Sequence, residues 1–222
     1  MSVRSAAELA AVENPAWPGI AAAVHGSDSC AQVLPIPRAD GELSLEALQV
    51  TAASALGALA LNCGGLLIDG GWLRILGGGC AGLPSIGQAS GLGDPRLTRE
   101  PPAFLMVAFD VLGGRFAIDG GGLGIKPGSV CYWAPDSLAW EDTGLGHGAF
   151  VHAFLSGAGA EFYGDFRWPG WSDEVEALAL DQGLSLWPPP FSVEGQNLAE
   201  VSRRPVPFAE LVAFYDDAAA QL

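Results

Sequence analysis

Few residues of this chain could carry chemistry, and their spacing limits what they can do. Three aspartates, Asp69, Asp110 and Asp119, each close an apolar run. Carboxylates at strand ends can converge at one edge of a sheet and act there as acid, base or ligands of a hard cation. The commoner role of an aspartate after a strand is to begin a turn, its side chain accepting from nearby backbone N–H groups. Adjacent carboxylates such as Glu141-Asp142 and Asp173-Glu174 make poorer acid and base pairs, because neighbours in a strand face opposite ways.

His147 and His152 are five positions apart, so on a helix they point about 140° from each other. A zinc-binding pair uses spacings of three or four, so both read as surface or helix-packing residues and no metal is expected. Cys30, Cys63, Cys80 and Cys131 lack the close pairing of a zinc knuckle or a thioredoxin-like motif, and read as reduced core thiols. Cys131 lies in an apolar run, the setting of an inert thiol. There is no Gly-x-Ser-x-Gly elbow. A P-loop is excluded because the single lysine, Lys126, is followed by Pro127. The glycines from Gly122 to Gly128 have the wrong spacing for a dinucleotide fingerprint and lead into a strand. No cofactor is expected. Seven tryptophans remain, a residue type used both at binding hot spots and as core filler. Trp72 and Trp133 are assigned to the core. Trp168 and Trp171 flank a proline and are expected to stay partly exposed, which makes them candidate binding residues beside Asp69, Asp110 and Asp119.

Charge narrows the partners. Against 25 carboxylates stand 10 basic residues, a formal net charge of −15. Such a field repels nucleic acid and anionic membrane and attracts basic proteins. The plainer account is that acidity keeps a chain with 50% apolar residues in solution. The N-terminus MSVRSAAELAAVENP has no apolar h-region, so no secretory signal is expected. The longest nearly uninterrupted apolar run, Ala52 to Leu61, which contains Ser54 and Gly57, is about half of a membrane span. With unpaired cysteines, these features point to a reducing, cytoplasmic compartment.

The elements that must position these residues read as follows. Residues 2–26 are helical, with a capping box at Ser5 and Glu8, a cap at Asn14 before Pro15, and a stop at Gly26. Residues 27–41 form a connecting loop, and LSLEALQV is either helix or strand. A meander begins in GALALNCGGLLID (57–69), turns at Asp69-Gly70-Gly71 and continues in WLRIL. Residues 77–102 make a long surface loop. Four antiparallel strands follow: FLMVAFD (104–110), RFAID (115–119), SVCYWA (129–134) and LAWED (138–142), with turns at Gly113-Gly114 and Pro135-Asp136. The remainder, 148–222, is largely helical, including an acidic helix from Trp171 to Leu180 capped by Ser172, and a last helix after Pro205 and Pro207. The whole, residues 1–222, is expected to be one α+β domain, an antiparallel sheet with helices on one side.

The blocks NPAWP, GGLLIDGGWLRILGGG, FLMVAFDVLGGRFAIDGGGLG, YWAPDSLAWEDTGLGHGAF, FYGDFRWPGW and SRRPVP resemble an uncharacterised bacterial family of about this length, across roughly residues 9–212. That resemblance brings no biochemistry. From about 62 to 157 the order of elements is also similar to the SUKH superfamily: a strand ending in Asp, Gly-Gly, a strand into Asp119-Gly-Gly-Gly, an aromatic strand, a Pro-Asp turn and a Phe-containing helix. This second resemblance implies an α+β fold and an immunity-like, toxin-binding role, with no catalytic residue carried over. Three readings stand open: an acidic binding protein for a basic partner, an enzyme of unfamiliar type using the strand-end aspartates, and a self-associating structural protein.

Overall fold

The computed structural model describes residues 3–97 and 101–221. Helix α1 (Ala6–Ala10) starts at the expected capping box, where the Glu8 carboxylate accepts from the Ser5 N–H at 2.7 Å. Helix α2 (Trp17–His25) carries Pro18 in its first turn and stops at Gly26, but its N-cap is Ala16, not Asn14. The helical stretch expected over 2–26 is therefore two helices with a break between them. Strand β1 (Gln32–Leu34) rises from the segment expected to be a connecting loop. Helix α3 (Arg38–Leu48) settles LSLEALQV as helix, and α4 (Ala55–Asn62), capped by Ser54, replaces the first apolar run of the expected meander. The reason lies in burial: Leu56 to Leu61 are all buried, and a helix covered on every side shows no amphipathic period.

Strands β2 (Gly65–Ile68) and β3 (Leu73–Leu76) flank the Asp69–Gly71 turn as expected. A short helix, α5 (Ile86–Ala89), interrupts the expected surface loop. It is capped by Ser85 and Gln88, and Leu83 and Ile86 are buried. Residues 98–100 of that loop lie outside the described residues. Strands β4 (Phe104–Asp110), β5 (Arg115–Asp119), β6 (Ser129–Ala134) and β7 (Ala139–Gly146) complete the meander. Among the described residues the sheet has seven strands in the order β1 to β7, each antiparallel to the next. It thus reaches from Gln32 to Gly146 rather than from 57 to 142.

Helices α6 (His147–Leu155), α7 (Gly159–Phe162) and α8 (Trp171–Glu176) come next. The N-cap of α8 is Gly170 at φ 84, not Ser172, and the helix stops short of Leu180. The expected helical flank then gives way to an antiparallel pair, β8 (Gln182–Trp187) with β9 (Ser202–Pro207), followed by α9 (Phe208–Ala219). No helix among the described residues is long and apolar enough to cross a membrane.

The register sorts the sheet into two faces. Leu66, Ile75, Ala108, Phe116 and Tyr132 share the first, where Phe116 packs on Phe150 of α6 at a ring distance of 4.9 Å. Leu67, Arg74, Phe109, Arg115 and Trp133 share the second, where Phe109 meets Phe208 at 4.7 Å and Trp133 meets Tyr215 at 5.8 Å. Helices therefore cover both faces, contrary to the one-sided expectation. Strand β6 shows why: all six of its residues are buried, as a near-continuous apolar run requires of a strand covered on both sides.

Candidate functional site

Asp110 ends β4 on the first face and is held by its own turn. Its Oδ1 accepts from the N–H groups of Leu112 and Gly114, both at 2.9 Å, and its Oδ2 accepts from the Tyr132 hydroxyl at 2.8 Å. A Cβ on Gly114 would lie 2.1 Å from that Oδ2, so glycine is required there. Burial pushes the Asp110 carboxyl up, while the bonds from Tyr132, Gly114 and Leu112 pull it down; burial prevails. Burial, then the field of Asp110, pushes Tyr132 and Tyr163 well above the usual phenol value, which keeps both hydroxyls protonated. Asp110 is buried, and with its bonds inside its own turn and to Tyr132 the group orders the β4–β5 hairpin.

Asp69 lies just past β2 at the same end of the sheet, because Ile68 pairs with Leu73 and Leu73 with Asp110. Its carboxylate forms an ion pair with Arg167. The Arg167 guanidinium lies 4.3 Å from the centre of the Trp171 ring and 5.3 Å from that of Trp72. Trp72 in turn contacts Tyr163, Trp168 and Trp171 at 5.5, 5.7 and 5.3 Å. Trp168 donates its Nε1–H to Glu174 at 2.9 Å and is covered by Arg203 at 4.5 Å. It is only 2% exposed, which corrects the expectation of a partly open side chain. Trp171 is half-buried, with its ring against Arg167 and Trp72. Trp168 and Trp171 thus pack the core around Trp72.

Asp119 stands at the other end. It pairs with Phe104, the first residue of β4, whereas Asp110 is the last, so the three strand-end aspartates do not converge. Its Oδ1 accepts from Gly121 at 2.6 Å and Leu123 at 3.1 Å, and its Oδ2 from Ile125 at 3.2 Å, which folds the glycine loop back on itself. Burial acts to raise this carboxyl, but the backbone donors outweigh it and hold it below the usual range. Among the described residues no three His, Cys, Asp or Glu side chains gather as a cation site. His147 is buried against Phe150 with neither ring nitrogen bonded, and burial pulls it down to about 4. His152 is exposed beside Ser156. Cys63 and Cys131 are buried, but Cys30 is exposed and is no core thiol.

Two of the molecule's open concavities lie on the second face. A groove of about 560 Å³ is lined by Phe104, Met106, Phe109 and Trp140 of the sheet and by Phe208 and Val212 of α9, with Arg115 and Asp181 as its charged groups. Arg115 is stacked 4.1 Å over Trp133 and paired with Asp216 at 2.7 Å. Farther out, the β8–β9 and α9 unit exposes Trp187 at 68%, with Val193 and Phe214 also open.

The family described as a protein of unknown function, DUF2625, matches residues 6–211. The chain belongs to the DUF2625 family. It is 37% identical to the uncharacterized protein YbfG of Escherichia coli (strain K12) over 191 residues, 84% of this chain and 85% of YbfG. It is 32% identical to an uncharacterized protein of Haemophilus influenzae over 181 residues, 79% of this chain and 77% of that one. No solved structure matches it significantly.

In this DUF2625 chain, the features that sequence reasoning missed are Trp187 and the groove. The Trp-Pro-Pro-Pro run at 187–190 carried a usable signal, since prolines stop a strand and leave its last side chain at a corner. The groove had none: its walls come from residues as far apart as Phe104 and Val212.

Proposed function

We propose that this DUF2625 protein is a non-enzymatic binding protein whose acidic surface meets a basic protein partner, with Trp187 as the apolar anchor of the contact. The observation that carries the reading is the exposure of Trp187, 68%, on a chain of formal net charge −15. An open tryptophan on a strongly acidic chain is the composition of a hot spot inside an electrostatically steered contact. The segment from Trp187 to Ser202 also bears Glu194 and Glu200, both exposed. The strand-end carboxylates support the same reading from the other side, since Asp69, Asp110 and Asp119 are tied to Arg167, Tyr132 and backbone N–H groups. The SUKH-like order of elements between about 62 and 157 points to an immunity-like form of this role.

Affinity capture from the native bacterium at low and high ionic strength tests the proposal, followed by titration of the purified captured protein. A basic partner should bind one to one at low salt, weaken with added salt, and lose about tenfold or more in affinity on Trp187→Ala. If no stoichiometric partner appears at low salt, or if Trp187→Ala binds it equally well, the reading fails. The same exposed ring also favours a second reading, self-association through Trp187. Native mass spectrometry at micromolar concentration separates the two, because a monomer there removes self-association.

A further inference from the structure

Arg74 lies in β3 on the second face and is 2% exposed. Its Nε donates to the Gly71 carbonyl at 3.3 Å, and its Nη1 donates to the carbonyls of Leu180 at 2.9 Å and Gln182 at 2.5 Å. These bonds hold the entry to β8 against the sheet. The other terminal nitrogen, Nη2, has no hydrogen-bond acceptor among the described residues, and no carboxylate lies within ion-pair distance of the guanidinium. Burial lowers the group to about 10 against the fields of Asp110 and Asp181, so it remains a cation at neutral pH. A buried cation ordinarily has an anion beside it, because desolvation is otherwise uncompensated.

Arg74 borders a pocket of about 430 Å³ between the sheet and α8, whose wall includes Leu67, Gly70, Gly71 and Glu176, with the exposed Cys30 also lining it. Leu180 borders both this pocket and the apolar groove. The volume is in the usual range for a small-molecule site, roughly 300 to 1,000 Å³. A guanidinium presents its N–H groups in a planar fork that suits carboxylate and phosphate oxygens. We propose that this pocket binds a small organic oxyanion, a carboxylate or a phosphate monoester, received by Nη2 of Arg74. The site is separate from the acidic surface and stands or falls independently of the partner proposed above. Glu176 is the opposing charge in its wall and sets the affinity by repulsion.

Cys30 supplies the reporter. Iodoacetate and iodoacetamide alkylate the same thiolate with loss of iodide, so the ratio of their rates cancels the thiolate fraction and leaves the preference for an anionic reagent. Peptide-resolved mass spectrometry on the full chain reads that ratio at Cys30. It should fall about threefold or more on Arg74→Met and rise by a similar factor on Glu176→Gln. Inorganic phosphate or succinate should also protect Cys30 from neutral iodoacetamide, saturably, and the anion that protects at lower concentration names the ligand class. If Arg74→Met does not fold, Glu176→Gln and the protection by anions decide, because both leave Arg74 in place. A ratio indifferent to Glu176→Gln, with no protection by either anion, overturns the proposal.

Discussion

The two faces of the sheet meet the demand for burial in different ways. On the first, the rings of Phe116, Tyr132, Phe150 and Phe154 interlock, with Phe116 4.6, 4.9 and 5.9 Å from the other three. The carboxylate among them, Asp110, has its own donors in Tyr132, Leu112 and Gly114. The second face is covered by a two-stranded ribbon, α9 and the end of α8, which leave an apolar groove and the Arg74 pocket, both bordered by Leu180. Two arginines, Arg74 and Arg115, project from the sheet into that incomplete cover. A ring-bearing helix fills the space above a sheet, whereas a narrow ribbon leaves concavities along its borders. The first face is built for stability, and the second has the room for recognition.

That contrast breaks most directly at Asp110. Asp110→Ala leaves the Tyr132 hydroxyl and two backbone N–H groups buried without an acceptor and should lower unfolding free energy by about 3 kcal/mol or more. Urea denaturation measures it, and a loss below about 1 kcal/mol would mean the first face does not depend on this group. His147 provides the next effect through pH. Its folded value of about 4 lies below the ordinary 6.5, so the unfolded chain takes up the proton first. Its contribution is constant above pH 6.5, declines as pH falls through the window to 4, and is flat below that. Wild type should therefore lose about 2 kcal/mol more than His147→Phe between pH 7 and pH 5. Equal losses would show that the ring titrates freely.

On the second face the expected effects on stability are smaller. Arg115→Lys gives up the planar stack over Trp133 and the paired contact with Asp216, for a loss of about 1 kcal/mol. Trp187→Ala should change stability by less than about 0.5 kcal/mol while weakening partner binding. A large stability loss at Trp187 would move it from the recognition side of the comparison to the structural side.

Strands β4 to β7 were legible because apolar runs alternate with Gly-Gly and Pro-Asp turns at short range. Strand β1 was not: three residues carry no period, and the strand exists through pairing of Gln32 with Leu67. Helix α4 was misread because complete burial erases the helical stripe. Among the candidate residues, Asp110 and Asp119 behave as the local rule for strand-end aspartates describes, since most of their partners lie within six positions. Asp69 does not, because Arg167 is 98 positions away.

By itself the sequence determined the α+β class, the meander from β2 onward, the capping of α1 and the acidic charge, all of which follow from composition and near-neighbour hydrogen bonding. Only the tertiary structure decided that Trp168 is buried while Trp187 is open, and that Arg74 lies beside a pocket with no ion-paired carboxylate among the described residues. Exposure depends on what covers a face, and here the cover arrives from segments about a hundred residues further along the chain, as the Arg74 bonds to Leu180 and Gln182 show.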